Sequence, residues 1–376
     1  MASRPVSVGN VFAVVTGGGT AGHVLPALAV AEGLQDAGHD ASSIYYVGAR
    51  RGIETDLVPR SPYPHTFLDV VGFQRAFTRR NLAFVPKLVR ATRQSIELLR
   101  RLRPKVVVSV GGYASMPAVL AAKRLRIPIV VVSFDRQPGK ASALSARLAA
   151  ASAVAFEGSI LPRAELTGAP VRRAIRHVDR VGGRDAARRA LGVPPDRFLL
   201  TVIGGSLGSG VLNDAVVRYV NDHADDAELA VYHVVGERFR SGIAGRSGEQ
   251  GAWHKVVGFE ERMDLLWAAT DLLVGRGGAS TVAEIATTGT PSILVPWAAS
   301  AEDHQTMNVR WLSDVAAAVL VPEAELERLG AEVDELRSHP VRLRAMNGRA
   351  WFLGERNRSG ALPALIERVA LASKAP

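Results

Sequence analysis

The chain changes from an apolar β-type run to a helix-like segment in the stretch Phe12-Ala13-Val14-Val15-Thr16-Gly17-Gly18-Gly19-Thr20-Ala21-Gly22-His23. Glycine permits a left-handed backbone and close approach of a ligand, and the start of a helix favours an anion. The same design recurs in residues 106–113, 199–208 and 272–280. Two copies lie in each half of the chain, which predicts two α/β domains that face a shared cleft and bind phosphate groups.

The composition limits the class of protein. With 376 residues, 47% of them hydrophobic, the chain can bury two separate cores. It has no cysteine, which excludes disulfides and thiol catalysis and favours a reducing compartment. The net charge of +10 predicts an acidic partner, which is nucleic acid, an anionic membrane surface or phosphorylated ligands.

Neither a membrane span nor a leader is expected from the apolar runs. None of these runs approaches the ~20 residues that a membrane span needs. The first 31 residues contain an arginine, an apolar stretch and small residues, but the turn at 17–23 interrupts the apolar region. We therefore interpret this start as folded structure and not as a signal peptide.

Strands alternate with helical segments along both halves, as is typical of parallel sheets with right-handed crossovers. In the first half, the pattern predicts a helix over 24–37 and a strand over 43–48. A polar stretch with proline, 157–173, indicates a domain boundary, and the alternation restarts at Phe198. We predict an N-terminal Rossmann-like domain over 1–165, a C-terminal domain over 166–345, and a helical segment over 346–376 that packs back on the first domain.

The first glycine turn allows two chemical interpretations. Residues 17–22 fit the G-x-G-x-x-G spacing of dinucleotide sites, which is a weak signal alone. An NAD site also needs an acid after the second strand. Here that strand runs into Arg50 and Arg51, which counts against NAD, although two arginines would tolerate the extra phosphate of NADP. His23 lies at a helix start, where the dipole disfavours a protonated imidazole. It is either a neutral general base or a capping or solvated histidine.

Features of the second half predict a site for a diphosphate and a ribose. Ser206 and the amides of residues 208–210 suit a diphosphate, with an ordinary tight turn as the alternative. Glu284 suits the hydroxyl groups of a ribose, or it simply complements a helix start. In the sequence Glu-Asp-His-Gln at 302–305 we favour polar recognition by Gln305 and expect no metal, because three adjacent residues seldom converge on one ion.

A basic segment follows the first three predicted elements. Residues 73–105 carry ten Lys and Arg against one acid, Glu97, with apolar side chains interleaved. Such a pattern predicts a patch that lies on an anionic membrane surface, although part of it equally fits a solvated helix face. We do not expect nucleic acid as the partner, because no recognised nucleic-acid motif accompanies the charge.

Six motifs occur in the order and spacing of one known family. They are Gly-Gly-Gly-Thr-Ala-Gly-His-Val-Leu-Pro-Ala-Leu-Ala-Val-Ala (17–31), Val-Gly-Gly-Tyr-Ala-Ser (110–115), Gly-Ala-Pro-Val-Arg (168–172), Gly-Gly-Ser-Leu-Gly (204–208) and the segments around Glu284 and Gln305. Each motif is weak alone. Together, over about residues 13–315, they resemble the MurG family of N-acetylglucosaminyltransferases, which convert lipid I to lipid II in peptidoglycan synthesis.

The resemblance implies a GT-B fold, in which two Rossmann-like α/β domains turn their parallel sheets toward a central cleft. It implies that the N-terminal domain receives a lipid-linked MurNAc-pentapeptide acceptor and that the C-terminal domain binds UDP-GlcNAc. No cofactor is expected. The enzyme would work at the cytoplasmic face of the bacterial plasma membrane as a peripheral protein.

The resemblance also implies roles for single residues. His23 matches a proposed catalytic histidine, and Phe259 with Glu260 falls where the family has its uracil-binding loop. The residues matched to donor contacts are Thr20, Ala21, Gly22, Arg172, Ser206, Glu260, Glu284 and Gln305. The turn residues assigned to the acceptor and its phosphate are Gly18, Gly19, Gly111, Gly112 and Tyr113.

One position departs from the family's pattern. The family usually has His-Glu-Gln-Asn after the strand that corresponds to 127–131, whereas this chain has Val132-Ser133-Phe134-Asp135. Asp135 would therefore replace a donor-binding asparagine. Its carboxylate accepts hydrogen bonds but donates none, and its charge opposes a diphosphate. The asparagine usual before Pro-Val-Arg is replaced as well, by Ala169.

The expected reaction is an inverting transfer of GlcNAc to the 4-hydroxyl of the acceptor's MurNAc. His23 would assist deprotonation of that hydroxyl, and Arg172 with the second-half glycine turn would stabilise the leaving UDP. Alternatives with the same fold are another UDP-sugar transferase or a UDP-GlcNAc 2-epimerase. An NADP-dependent oxidoreductase and a non-catalytic binder of UDP-sugars stay open as alternatives of other classes.

Overall fold

The computed structural model describes residues 11–70, 84–205, 207–245, 251–300 and 303–372. The chain divides into two compact units, Met1–Arg173 with Arg356–Pro376, and Ala174–Glu355. We call them the first and the second unit. The predicted boundary after residue 165 falls inside a strand, Ala164–Leu166, that pairs with the sheet of the first unit.

The first unit is built on a parallel sheet, which has seven strands in the described part of the chain. The strands are β1 (Ala13–Thr16), β2 (Ile44–Ala49), β3 (His65–Leu68), β4 (Val106–Ser109), β5 (Ile129–Ser133), β6 (Ala151–Val154) and β7 (Ala164–Leu166). They lie in the order β3-β2-β1-β4-β5-β6-β7. The central strands are buried on both faces, which explains their nearly continuous runs of valine and alanine.

Helices cover this sheet. They are α1 (Ala21–Asp36), α2 (Glu54–Leu57), α3 (Phe84–Leu102), α4 (Met116–Leu125) and α5 (Lys140–Leu148). Helix α1 starts three residues earlier than the predicted 24–37, because the extended Thr20 serves as its N-cap directly after the glycine turn.

The described part of the basic segment is helix α3, whereas residues 73–83 lie outside the described part. One face of α3 is buried in the core of the first unit and includes Ala91, Leu98, Leu99 and Leu102. Its exposed side carries basic residues, namely Arg90, Arg93, Arg100 and Arg101. Much of the apolar character of this segment therefore stabilises the domain, because amphipathic helices pack their apolar face on a core.

The second unit repeats the architecture. Its described strands are β8 (Phe198–Ile203), β9 (Leu229–Val234), β10 (Trp253–Val257), β11 (Leu272–Gly275), β12 (Ser292–Leu294) and β13 (Ala318–Leu320). They form a parallel sheet in the order β10-β9-β8-β11-β12-β13. The two parallel sheets confirm the predicted α/β class.

The remaining helices follow the chain to its end. They are α6 (Arg173–Arg176), α7 (Arg184–Leu191), α8 (Gly210–Asp222), α9 (Met263–Ala269), α10 (Ala279–Thr288), α11 (His304–Ser313), α12 (Leu329–Ser338), α13 (Pro340–Leu353), α14 (Glu355–Arg358) and α15 (Ala361–Ala372). Helix α15 packs against α1 and against strands β4, β5 and β6 of the first unit. Among the described residues, no helix is both long and apolar enough to span a bilayer.

All four glycine turns follow strands at the point where the strand order reverses. In the first sheet the chain proceeds outward from β1 to β3 on one side and from β4 to β7 on the other. In the second sheet the corresponding pair is β8 and β11. Parallel sheets bind ligands beyond the carboxyl ends of the strands at such switch points. The fold therefore brings the predicted turns together in pairs, one pair in each unit.

Candidate active site

The turn after β1 is held from two sides. The Tyr46 hydroxyl donates to the carbonyl of Gly17 at 2.5 Å, and the Gly19 N–H donates to Oε1 of Glu54 at 2.9 Å. Burial, and secondarily the charge of Glu54, raises the pKa of Tyr46, so this hydroxyl keeps its proton. Gly19 has φ +96°, a conformation that favours glycine. Sequence reasoning missed both partners, since neither belongs to a motif.

His23 is oriented by the residue that begins its helix. Thr20 makes no side-chain hydrogen bond to the helix backbone, and its Oγ1 lies 3.0 Å from Nδ1 of His23. With Nδ1 engaged, Nε2 is the nitrogen left for chemistry. The ring rests against the turn after β4, since a Cβ on Gly111 would lie 3.2 Å from its Cδ2.

The two turns of the first unit touch each other. Gly111 and Gly112 have φ +90° and +76°. A Cβ on Gly112 would lie 2.3 Å from the carbonyl oxygen of Gly18, and a Cβ on Gly19 would lie 2.7 Å from the ring of Tyr113. The predicted acceptor residues are therefore one contiguous group, and the close backbone approach explains why glycines are needed there.

A cavity of about 210 Å³ lies beside His23. It is lined by His23, Val110, Gly112, Val132, Ser133, Phe134, Asp135, Gly139, Lys140, Ala141 and Ser142. Asp135 thus lies in the same pocket of the first unit as the imidazole. Lys140 and Ser142, at the start of α5, also line this pocket. Its wall therefore combines a base (His23), an acid (Asp135) and further hydrogen-bonding groups.

The imidazole of His23 favours its neutral form. Burial lowers its pKa from the ordinary 6.5, and the negative charge of Asp135 partly opposes this effect. The sequence argument expected a neutral imidazole because of the helix start. In the structure the largest cause is loss of solvation, which disfavours the charged form.

Arg172 lies in the first unit, where it is paired with helix α1. Its Nε donates to Oε1 of Glu32 at 2.8 Å, and the backbone N–H of Arg173 donates to Oε2 of the same carboxylate at 2.6 Å. A donor contact by Arg172 stays a prediction. It would require the guanidinium to serve Glu32 and a ligand together.

In the second unit, Ser206 lies outside the described residues, but the remainder of its turn is described. Gly208 has φ +70° and approaches the backbone of Val235 so closely that a Cβ would meet its carbonyl oxygen at 2.1 Å. Ser209 is the N-cap of α8, and its Oγ accepts the N–H of Leu212. The turn thus leads directly into the capped N-terminus of α8, and the N-terminus of a helix favours the binding of an anion.

Arg276 ties the two turns of the second unit together, and sequence reasoning missed it. It is buried, and its guanidinium donates to Oγ of Ser209 at 2.5 Å and to Oε2 of Glu323 at 2.8 Å. It also donates to the carbonyl of Val295 at 3.1 Å. One side chain therefore joins the ends of β8, β11 and β12.

Glu284 lies on α10, half-buried, as the motif predicts. Its Oε2 accepts the indole N–H of Trp267 at 3.0 Å. Trp267 is 1% exposed and lies on α9. The carboxylate is therefore held in place by a buried tryptophan, which appeared in the sequence only as part of an apolar helix.

The Gln305 carboxamide is oriented by two backbone donors. Its Oε1 accepts the N–H of Gly277 at 3.2 Å and of Trp297 at 2.9 Å. Because both partners are donors, the oxygen is assigned to them, and the amide nitrogen is the group that would donate to a ligand. In the described part of the chain, no group of three or more His, Cys, Asp or Glu side chains is arranged to hold a metal ion.

Glu260 is held by strand β9 and by its own loop, whereas Phe259 next to it is 55% exposed. Glu260 accepts the Tyr232 hydroxyl at 2.5 Å and the Arg262 N–H at 2.8 Å. Burial alone would raise the pKa of Glu260, but these hydrogen bonds and the charge of Arg262 lower it overall. A donor contact by Glu260 stays a prediction.

Two family models match the chain. The glycosyltransferase family 28 N-terminal domain matches residues 13–154, and the glycosyltransferase family 28 C-terminal domain matches residues 199–360. The chain belongs to glycosyltransferase family 28. This membership confirms the predicted class of enzyme, and it does not favour an NADP-dependent oxidoreductase or an epimerase.

Relatives of this family-28 chain match it nearly from end to end. It is 37% identical over 371 residues to the UDP-N-acetylglucosamine–N-acetylmuramyl-(pentapeptide) pyrophosphoryl-undecaprenol N-acetylglucosamine transferase of Desulforudis audaxviator, covering 95% of this chain and 98% of the relative. The protein of the same name from Clavibacter sepedonicus is 37% identical over 366 residues, covering 96% and 97%. The resemblance to the MurG family is thereby confirmed.

A solved structure shows the same fold. The crystal structure of MurG from Acinetobacter baumannii matches with a TM-score of 0.67 at 23% identity, covering 95% of this chain and 98% of that one. Together with the two parallel sheets and the family-28 domains, this likeness confirms the predicted GT-B fold.

Proposed function

We propose that the protein transfers GlcNAc from UDP-GlcNAc to the 4-hydroxyl of MurNAc in a lipid-linked MurNAc-pentapeptide, the step from lipid I to lipid II. The observation that carries this proposal is the His23 imidazole, which burial keeps neutral beside a cavity. It occurs in a chain that matches N-acetylglucosamine transferases over nearly its whole length.

The chemistry is a single displacement. The acceptor oxygen attacks the anomeric carbon of GlcNAc, and the bond from that carbon to the diphosphate breaks with its electron pair leaving on UDP. The proton of the attacking hydroxyl passes to Nε2 of His23, in the tautomer whose Nδ1–H donates to Oγ1 of Thr20. Attack opposite to the leaving group inverts the anomeric configuration.

The second unit is the proposed donor site. The capped start of α8 supplies amides and a positive dipole end for the developing charge of UDP. Glu284 would accept hydrogen bonds from the ribose, and the amide nitrogen of Gln305 would donate to the sugar. Ser206 stays a proposed contact of the diphosphate, as does Arg172 of the first unit. Phe259 and Glu260 stay proposed contacts of the uracil.

Membrane association is proposed from the exposed basic residues of α3, where Glu97 is the single acid of residues 84–102. An anionic lipid surface would attract these residues and bring the enzyme to its lipid-linked acceptor at the cytoplasmic face. Sedimentation with vesicles tests this: binding that needs anionic lipid and weakens with salt supports it, and equal binding to neutral vesicles contradicts it.

The direct test is release of UDP from UDP-GlcNAc, with and without a lipid I analogue, in the presence of EDTA. Acceptor-dependent release supports the proposal. Binding of UDP-GlcNAc without release would overturn the proposed acceptor and leave the family assignment intact. Conversion of UDP-GlcNAc without any acceptor would instead favour an epimerase.

Asp135 is expected to influence the pH dependence of the transfer activity through the pKa of His23. In Asp135→Asn the charge that stabilises the imidazolium is lost, so the pKa of His23 falls further below 6.5. Activity requires the neutral imidazole, so the acidic limb of the pH profile of kcat/KM is expected to move to lower pH. Glu157→Gln, a neutralised exposed acid of the same unit, is the control and should leave the limb in place. A limb that stays in place or moves upward in Asp135→Asn contradicts the role of Asp135.

Trp267→Phe tests how Glu284 is held. The variant keeps an aromatic ring in the core but removes the indole donor to the carboxylate. Hydrogen bonds to charged groups contribute about 1.5–3 kcal/mol, so the Kd for UDP and the KM for UDP-GlcNAc are expected to rise roughly tenfold or more, with kcat nearly unchanged. Calorimetric titration with UDP measures the first quantity. Trp253→Phe, on β10 of the same unit, is the matched control, and an unchanged Kd in Trp267→Phe would refute the role.

A further inference from the structure

A buried acid lies directly beneath the first glycine turn. Glu54 on α2 has 0% of its surface exposed. Its Oε1 accepts the N–H of Gly19 at 2.9 Å and of Ala49 at 3.3 Å. Its Oε2 is buried with no hydrogen-bond partner among the described residues. Burying the second oxygen without a partner costs free energy, whereas the first oxygen satisfies two backbone amides that an apolar side chain would leave without an acceptor.

The surrounding backbone is shaped to admit this carboxyl group. A Cβ on Gly18 would lie 2.5 Å from Oε1 of Glu54, and a Cβ on Gly52 would lie 2.5 Å from Oε2. Gly52 also has φ +113°, which favours glycine. Two glycines on different segments therefore leave room for one side chain, which accepts the N–H of Gly19.

The contact between Glu54 and Gly19 is connected to the His23 imidazole through one intervening residue, Thr20. Gly19 is followed by Thr20, whose hydroxyl engages Nδ1 of His23. Glycine at φ +96° is flexible unless it is held, and its restraints here are the Glu54 bond and the contact with Tyr113. The position of Thr20, and with it the orientation of His23, therefore depends on the Glu54 carboxyl group reaching the Gly19 N–H.

We propose that Glu54 is a positioning residue, which fixes the first glycine turn so that Thr20 presents His23 to the acceptor hydroxyl. The role rests on the proposed transfer reaction. The role requires a side chain long enough to bring an accepting oxygen to the Gly19 N–H. It also means that this N–H binds Glu54 and not a phosphate of the acceptor.

Two opposite substitutions separate reach from charge. Glu54→Gln keeps the length and the accepting oxygen but removes the charge, whereas Glu54→Asp keeps the charge and shortens the side chain by one methylene. We expect Glu54→Gln to retain a kcat close to that of the unchanged protein. In Glu54→Asp the misplaced imidazole should lower kcat by about 100-fold, with an unchanged Kd for UDP in the second unit. Asp56→Asn, an exposed acid on the same helix, is the control and should have no effect.

A second measurement needs no substrate, so it separates this role from the proposed reaction. NMR of the Gly19 amide and of the His23 ring follows the contact directly. Glu54→Asp should accelerate hydrogen exchange at Gly19 and raise the pKa of His23 toward 6.5 as the ring gains water, and Glu54→Gln should change neither.

If the unchanged protein transfers no GlcNAc but these NMR effects occur, the proposed reaction fails and the positioning contact stands. The role is overturned if Glu54→Asp keeps kcat and the Gly19 signal, or if Glu54→Gln loses either. If Glu54→Asp does not fold, slow hydrogen exchange of the Gly19 amide in both the unchanged protein and Glu54→Gln supports the contact, and a freely exchanging Gly19 amide in the unchanged protein overturns it.

Discussion

Replacing His23 by glutamine is expected to lower kcat for GlcNAc transfer by a factor of about 10²–10⁴, the usual contribution of a positioned general base. Glutamine can still hydrogen-bond to Thr20, but its amide cannot take a proton from a hydroxyl near neutral pH. The proposed contacts of the nucleotide lie mostly in the second unit, so the Kd for UDP should not change. Initial rates at saturating acceptor and calorimetry with UDP measure the two quantities.

His65→Gln is the matched control for this experiment. His65 is another half-buried histidine of the first unit, with its Nδ1 3.1 Å from the carbonyl oxygen of Tyr63 and no place at the cavity. It should keep both kcat and UDP affinity. If His23→Gln turns over at the rate of the control, His23 is not the general base.

Arg276→Met is expected to destabilise the second unit by about 3–5 kcal/mol. The guanidinium is buried, and its removal leaves the Glu323 carboxylate and the Val295 carbonyl without their charged partner. All five tryptophans lie between residues 174 and 355, so tryptophan fluorescence in urea follows the unfolding of this unit alone. The Kd for UDP should also rise, because Ser209 at the start of α8 loses its donor.

A double-variant cycle checks the cause of this loss. Arg276→Met combined with Glu323→Gln removes the uncompensated charge while keeping an accepting oxygen for the Ala298 N–H, so it should recover part of the stability. Arg310→Met, at an exposed position on α11, should stay within about 0.5 kcal/mol of the unchanged protein. An Arg276→Met variant as stable as this control would exclude the bracing role.

The strands and turns were predictable because they are local. An apolar run that ends at a glycine pair encodes β1, β4, β8 and β11 without reference to the remainder of the chain. The pairing of the turns at two switch points follows from the strand order that parallel α/β folds prefer. The family motifs then assigned His23, Glu284 and Gln305 to plausible chemistry before any contact was known.

The supporting residues were not predictable because their roles come from distant contacts. Glu54 meets Gly19 across 35 residues, and Arg276 meets Ser209 across 67. Neither contact leaves a periodic or spaced signal in the sequence. The basic segment shows the opposite difficulty. Apolar residues of α3 that suggested lipid contact, such as Ile96, suit a buried helix face equally well, and Ile96 packs against the core of the first unit.

The way in which Gln305 is held has a consequence for protein engineering. Its carboxamide oxygen braces the backbone at both Gly277 and Trp297, so a single side chain joins the glycine turn to the loop after β12. Libraries that randomise this position to change the donor sugar would alter the scaffold and the proposed recognition group together. A designer who wants a new donor preference should keep Gln305 and diversify exposed neighbours such as Trp297, whose side chain is not part of the brace.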